Sequence, residues 1–74
     1  MRSLHSAAYR AFRIQLRRAR LERGLTQDQV VAVLKIPKSR LSRMETGERR
    51  VDAIELAAFM KLYRKPFSFF VPKK

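Results

Sequence analysis

Residues 24–47 read GLTQDQVVAVLKIPKSRLSRMETG, and this stretch predicts two short helices joined by a tight turn. The first helix begins after Thr26, because Thr26 and Gln29 have the spacing of a capping box, in which each side chain bonds to the backbone N–H of the other residue. It ends near Lys35, because the ring of Pro37 disfavours helical backbone at the residue before it. We therefore expect a first helix of roughly nine residues.

The second helix of this stretch is predicted over residues 38–46, and Gly47 ends it because glycine accepts the positive φ of a helix C-terminus. At 100° per residue, Leu41 and Met44 fall on one side of the helix, with Glu45 beside them. This side faces the core. A buried carboxylate without a partner is very costly, so Glu45 needs a cation close to it.

The opposite side of that helix is polar and cationic. Ser39 and Arg43 lie opposite Leu41, and Lys38 stands at the N-terminal end. Such side chains suit the major groove of B-DNA, where Arg or Lys donates to guanine O6 and N7 and Ser donates or accepts. Gln27 opens the preceding helix, where a helix N-terminus and an amide side chain together suit a phosphate group.

The rest of the chain also has helical spacing. An earlier helix, which ends near Arg23, has an apolar stripe made of Ala8, Tyr9, Phe12, Leu16 and Ala19. Asp52 and Glu55 predict a second capping box at the start of a fourth helix. Pro66 opens a fifth, short element over residues 67–71. No stretch alternates as a strand does, so the pattern predicts an all-α chain.

Size and charge limit the organisation of the chain. It has 74 residues, with eighteen Lys plus Arg against six Asp plus Glu, and a formal net charge of +12. We expect one domain over residues 1–74, with a flexible arm at 1–7 and a basic tail at 72–74.

The charge predicts a polyanionic partner, either nucleic acid or an acidic membrane surface. The longest apolar runs, residues 30–34 and 56–60, have five residues each, far fewer than the ~20 that span a membrane, so we expect a soluble, cytoplasmic, nucleoid-associated protein.

Residues that bind metals or perform catalysis are scarce. The chain has no cysteine and a single histidine, His5, which is expected to be exposed in the arm. A disulfide framework, a thiolate zinc site and a Ser-His-Asp triad therefore lack their components. We expect no metal, no cofactor, no small-molecule effector and no enzymatic activity.

The motif residues resemble those of the Cro/phage-repressor-type (XRE-like) family of helix-turn-helix proteins. The resemblance spans about residues 12–70, and it rests on Arg20, Gly24-Leu25-Thr26-Gln27, Val30, Leu34, Ile36, Leu41-Ser42-Arg43-Met44-Glu45, Gly47 and the ending from Tyr63 to Phe70. It implies a compact five-helix bundle of the phage-repressor-like DNA-binding type, with helices 2 and 3 forming the helix-turn-helix. Three positions depart from the family pattern: Val31 stands where alanine is preferred, Lys35 stands where glycine is common, and Pro37 stands where a Ser or Thr cap is usual.

The resemblance also implies roles for individual residues. The base-reading positions are Lys38, Ser39 and Arg43. The phosphate-binding positions are Gln27, Arg40, Ser42, Arg49 and Arg50. An internal ion pair joins Arg20, at the edge of the apolar stripe of the first helix, to Glu45, and we expect it to orient the third helix more than to add net stability.

The C-terminal part of the chain contains more large apolar side chains than a small core needs: Phe59, Leu62, Phe67, Phe69 and Phe70. One interpretation is that they close the bottom of the bundle. The other is that they form a dimer interface.

Two functions follow from these patterns. The first is a sequence-specific, double-stranded DNA-binding transcriptional regulator, expected to act as a repressor and to bind a palindromic operator as a homodimer. The alternative is an antitoxin or accessory module, which would bind a partner protein through its Phe-rich C-terminus and autoregulate through the helix-turn-helix. A third interpretation, a membrane-surface peptide using the basic first helix, is disfavoured by the capped, globular remainder.

Overall fold

The computed structural model describes residues 6–71 and confirms the all-α class. It has five helices in this part of the chain and no strand. They are α1 (Ala7–Glu22), α2 (Gln27–Leu34), α3 (Lys38–Thr46), α4 (Ala53–Tyr63) and α5 (Phe67–Phe70). Helix α1 packs on α3 and α5, and α2 packs on α3. No helix among these residues is long and apolar enough to cross a membrane.

Both predicted capping boxes are formed, and they set where α2 and α4 begin. The Thr26 hydroxyl accepts from the Gln29 backbone N–H at 3.1 Å, and the Gln29 side chain accepts from the Thr26 N–H at 2.8 Å. Asp52 and Glu55 exchange the same two bonds at 2.8 and 3.0 Å. Each box satisfies two backbone donors that a helix N-terminus otherwise leaves unpaired.

The boundary of the predicted N-terminal arm differs in the structure. Ser6 is the N-cap of α1, because its side chain accepts from the Tyr9 backbone N–H at 3.0 Å, and Ala7 is already helical. The last two residues of the predicted arm at 1–7 therefore belong to the start of α1. Residues 1–5, which include His5, and the predicted tail at 72–74 lie outside the described residues.

The turn between α2 and α3 contains two of the three departures noted in the sequence, Lys35 and Pro37. Lys35 has φ 58° and ψ 48°, the left-handed conformation that glycine adopts without strain. Pro37 is the N-cap of α3, and α3 has no side-chain cap hydrogen bond. The turn is therefore built with one strained residue and one uncapped helix start.

The core draws on all five helices. Its fully or nearly fully buried apolar side chains are Phe12, Leu16, Ala19, Val30, Leu41, Met44, Phe59, Tyr63 and Phe70. Tyr63 stacks on Phe59 with ring centroids 5.5 Å apart, and burial raises the pKa of the Tyr63 hydroxyl well above its usual value. The packing of α3 through Leu41 and Met44 fixes which of its sides faces solvent.

Two residues of the predicted dimer interface lie in this core, which corrects that prediction. Phe59 is 1% exposed and Phe70 is 0% exposed, and Phe70 packs against Phe12 with centroids 6.4 Å apart. Side chains buried within one copy cannot reach another copy. For Phe59 and Phe70, the alternative interpretation, closure of the bottom of the bundle, describes the structure.

The other three residues of that set, Leu62, Phe67 and Phe69, differ in exposure. Phe69 is half-buried, with the Lys65 ammonium 4.6 Å from its ring centroid. Leu62 is also half-buried, and its carbonyl accepts from Arg23 of α1 at 3.3 Å. Phe67 is 53% exposed and is the one large, exposed member of the set. The Phe-rich segment therefore offers little contiguous apolar surface.

An ion pair between α1 and α3 lies among the core residues. Arg20 Nε donates to one carboxylate oxygen of Glu45 at 2.7 Å, and Arg20 Nη2 donates to the other at 3.0 Å. Arg20 is 6% exposed and Glu45 is 5% exposed. Hydrogen bonding to Glu45 raises the pKa of the Arg20 guanidinium, which stays charged. The pair thus fixes the rotation of α3 against α1 through two parallel bonds.

We predict that Arg20→Met lowers the free energy of unfolding by about 3–5 kcal/mol, because it leaves the buried Glu45 carboxylate without its cation. Arg18→Met is the matched control, because the Arg18 bond to Glu22 at 2.9 Å is exposed and such pairs contribute at most about 1 kcal/mol. Urea denaturation measures both variants. The double variant Arg20→Met/Glu45→Met should recover much of the loss, and equal midpoints for the two single variants would contradict the prediction.

Replacing Lys35 should relieve the strained turn. We predict that Lys35→Gly raises the free energy of unfolding by up to about 1 kcal/mol, because glycine removes the Cβ penalty at φ 58°. The control is Arg23→Gly at the C-cap of α1, where φ is −80°, so glycine relieves no strain; it adds chain entropy in the unfolded state and removes the Arg23 bond to the Leu62 carbonyl. Thermal melts followed by circular dichroism compare them. A gain for Arg23→Gly equal to that for Lys35→Gly would contradict the explanation.

Candidate nucleic-acid interface

The solvent-facing side of α3 holds the three residues predicted to read bases. Lys38, Ser39 and Arg43 are all exposed, whereas Leu41 and Met44 on the other side are completely buried. The first turn therefore presents an ammonium and a hydroxyl, and the last turn presents a guanidinium. This is the set of donors that the sequence pattern predicted for this side of the helix.

Lys38 is held by a carboxylate of the preceding helix. Its Nζ lies 3.0 Å from an Asp28 carboxylate oxygen, and the two side chains are 58% and 76% exposed. An ion pair this exposed contributes at most about 1 kcal/mol. Lys38 can therefore leave Asp28 for another acceptor at small cost. Nothing in the sequence pattern predicts this pair.

The Arg43 side chain has no ion-pair partner among residues 6–71, and only its backbone carbonyl is engaged in several hydrogen bonds. Its carbonyl accepts from the backbone N–H groups of Gly47, Glu48 and Arg49, which ends α3. The guanidinium is exposed and offers five N–H donors in a planar fork. Among the predicted base-reading residues, Arg43 is thus best suited to a bidentate acceptor such as guanine.

The side chain of Gln27 makes a contact other than the one predicted. Its Nε2 donates to a Glu45 carboxylate oxygen at 3.0 Å, and the residue is half-buried. Glu45 thus receives bonds from α1 and from the first residue of α2. The Gln27 side chain is therefore occupied, and what remains for an anion is the N-terminus of α2, where backbone N–H groups and the helix dipole favour negative charge.

The phosphate-binding candidates after α3 differ in how free they are. Arg49 Nη1 donates to both carboxylate oxygens of Glu55, at 3.1 and 3.0 Å, and to the Arg50 carbonyl at 3.2 Å. Arg50 is exposed, and its guanidinium carbon lies 5.5 Å from the centroid of the Tyr9 ring. The Tyr9 hydroxyl in turn accepts from the Val51 N–H at 3.0 Å. The structure therefore leaves Arg50 available and ties Arg49 to α4.

Arg40 and Ser42, the remaining phosphate candidates, flank the exposed side of α3. Both are half-buried, so each side chain lies at the border between the helix packing and the solvent. Together with Arg43 and Arg50 they make a cationic and hydroxyl-bearing surface around α3. Among the described residues, no cluster of His, Cys, Asp and Glu could hold a metal ion.

Arg13 of α1 lies against the C-terminal end of α3 at Gly47, a contact that the sequence pattern does not predict. Gly47 has φ 89°, and a Cβ built on it would be 2.6 Å from both Cδ and Nε of Arg13. Gly47 therefore serves both the left-handed end of α3 and the close approach of the Arg13 side chain. No local sequence signal could have joined these two residues, because their contact depends on the packing of α1 against α3.

Comparison with known families agrees with this geometry. A model of the helix-turn-helix domain matches residues 11–66, a range that includes most of α1, all of α2 to α4 and the turn. No curated protein and no solved structure matches the chain significantly. Since the match covers well over half of the chain, the protein belongs to the helix-turn-helix domain family.

Proposed function

We propose that this protein is a sequence-specific regulator of transcription that binds double-stranded DNA. The observation that carries the proposal is the side of α3 formed by Lys38, Ser39 and Arg43, which is exposed although the helix is otherwise anchored in the core. Membership of the helix-turn-helix family supports it. In this mechanism α3 enters the major groove, and these three side chains meet base edges.

Contacts to phosphates position α3 and provide most of the affinity. We assign them to Arg40, Ser42 and Arg50 around α3 and to the N-terminus of α2 at Gln27. Arg49 joins this group only if it exchanges Glu55 for a phosphate. These contacts carry no sequence information, so they govern the salt dependence of binding and the base-reading set governs its selectivity.

We further propose that the protein acts as a homodimeric repressor on a palindromic operator. A helix of nine residues reads only a few base pairs, and a second copy on the adjacent turn of the duplex doubles the number of base contacts. Repression needs no contact beyond DNA binding itself, because an occupied operator excludes other proteins. The alternative module that binds a partner through the Phe-rich C-terminus is weakened by the burial of Phe59 and Phe70.

Two arginines separate the base-reading contribution from the phosphate contribution. We predict that Arg43→Ala costs about 1–3 kcal/mol on the preferred site and relaxes the preference at one base position. Arg50→Ala should weaken binding to all duplexes about equally and reduce the salt slope by about one. Duplexes selected from a random pool, followed by fluorescence anisotropy at several salt concentrations, measure both variants. Identical behaviour of the two variants would refute this assignment of roles.

The same selection tests the dimer. A homodimer predicts one enriched palindrome with half-sites ~10 base pairs apart, centre to centre, and light scattering should give the mass of two copies on each duplex. The control is a duplex carrying one half-site, which should bind much more weakly. A single asymmetric site that binds one copy with full affinity would contradict the dimer and leave sequence-specific DNA binding standing.

A further inference from the structure

An apolar groove lies between the last turn of α2 and the C-terminal half of α4. Its floor consists of Val33, Leu34, Ala58 and Leu62, and its volume is about 450 Å³. Val33 is 61% exposed, so its side chain is accessible to a ligand. Leu34, Ala58 and Leu62 are half-buried, and together with Val33 they line the same groove.

The rim of this groove is entirely cationic. Arg23, Lys61 and Arg64 line it, and no carboxylate does. None of these three side chains has an ion-pair partner among residues 6–71; Arg23 Nε instead donates to the Leu62 carbonyl at 3.3 Å. Three cations around an apolar floor repel one another, so a ligand bearing negative charge would relieve the repulsion.

The carboxylates that could have neutralised this rim are used elsewhere. Glu22 accepts from Lys65 at 2.7 Å and from Arg18 at 2.9 Å, and these two cations hold the pKa of its carboxyl below the usual range. Glu45 and Glu55 bind Arg20 and Arg49. The cationic rim thus remains unneutralised within the described part of the chain.

We propose that this groove binds an acidic amphipathic helix of a partner protein. Aliphatic side chains of such a helix would cover Val33 and Leu34, and its carboxylates would meet Arg23, Lys61 and Arg64. The groove shares no residue with the base-reading or phosphate-binding sets, so the partner and DNA do not compete for a common side chain. This inference does not depend on the DNA-binding proposal.

Two other occupants fit the groove less well. A second copy joined to the first through the same groove would bring the three cations against their own equivalents, which costs energy at each pair. Nucleic acid would satisfy the cations, but phosphates make no use of an apolar floor and would leave Val33 packed against a polyanion. An acidic amphipathic helix is the ligand that matches both the floor and the rim.

The experiment uses the full chain labelled with ¹⁵N and a synthetic helical peptide of about four turns, with leucines on one side and glutamates on the other. We expect amide shifts to concentrate at residues 33–34 and 58–64. A peptide with lysine in place of every glutamate, and another with serine in place of every leucine, are the ligand controls. Both should bind at least about tenfold more weakly, because one loses the charge match and the other the apolar contact.

Matched variants locate the site on the protein. Lys61→Glu/Arg64→Glu should weaken peptide binding at least about tenfold, whereas Arg10→Glu/Arg17→Glu, the same charge reversal on exposed positions of α1, should have a much smaller effect. Val33→Ser, which changes an exposed side chain, tests the floor without disturbing the fold. The circular dichroism spectrum of each variant is compared with that of the unmodified protein to check that the variant is folded.

Several results would overturn the proposal. One is that the peptide does not bind, and another is that the amide shifts centre on α3. The others are that the two charge reversals weaken binding equally, or that the serine-containing peptide binds as tightly as the peptide with leucines. Amide shifts in the groove on addition of duplex DNA, or a dimer in light scattering that Val33→Ser abolishes, would instead assign the groove to phosphates or to a second copy. None of these results bears on whether α3 reads bases, which Arg43→Ala tests separately.

Discussion

The buried ion pair between Arg20 and Glu45 is the interaction on which the arrangement of the helices around the turn depends. Removing two charges from water costs several kcal/mol for each ion, and the cost is offset only if the remaining donors and acceptors are satisfied. Here they are: the carboxylate also accepts from Gln27, and the guanidinium also donates to the Leu25 carbonyl at 3.0 Å. One carboxylate of α3 is therefore bonded to α1 and to α2 at once.

The orientation of α3 follows from this network. Leu41 and Met44 fill the core on the same side as Glu45, so the opposite side of the helix has to face solvent. Rotating α3 by one residue would expose part of the core and separate Glu45 from its cation. The position of Lys38, Ser39 and Arg43 is thus set by what α3 buries, and these side chains make no contribution to packing that would restrict their chemistry.

The distribution of charge shows a second consequence of the tertiary structure. The chain carries +12, and four of its carboxylates are engaged with cations at defined places: Glu22, Asp28, Glu45 and Glu55. Arg20 and Arg49 are not available to a ligand, because they are paired with Glu45 and Glu55. Lys38 is only weakly paired with Asp28. The cations that remain in the described part of the chain are Arg40, Arg43 and Arg50 around α3, Arg23, Lys61 and Arg64 beside the α2–α4 groove, Arg10, Arg13 and Arg17 on α1, and Lys35 in the turn. The net charge of the sequence is thus divided among a polar cationic surface around α3, a cationic groove with an apolar floor, and the basic side of α1.

Local chemistry in the sequence determined much of the fold. The capping boxes at Thr26 and Asp52, the proline at position 37 and the apolar spacing within each helix act over a few residues, so the helix-turn-helix and the exposed side of α3 could be predicted without a structure.

Contacts between distant residues required the structure, because no local pattern encodes them. Packing decided that Phe59 and Phe70 are core residues, that Gln27 turns inward to Glu45, that Arg49 is tied to Glu55 and that Arg13 lies over Gly47. The resemblance to a known family supplied the partner of Glu45, and the structure supplied the geometry. The sequence alone determined which residues form each helix, and only the tertiary structure decided which polar side chains are left for a ligand, because burial and ion pairing depend on neighbours far apart in the chain.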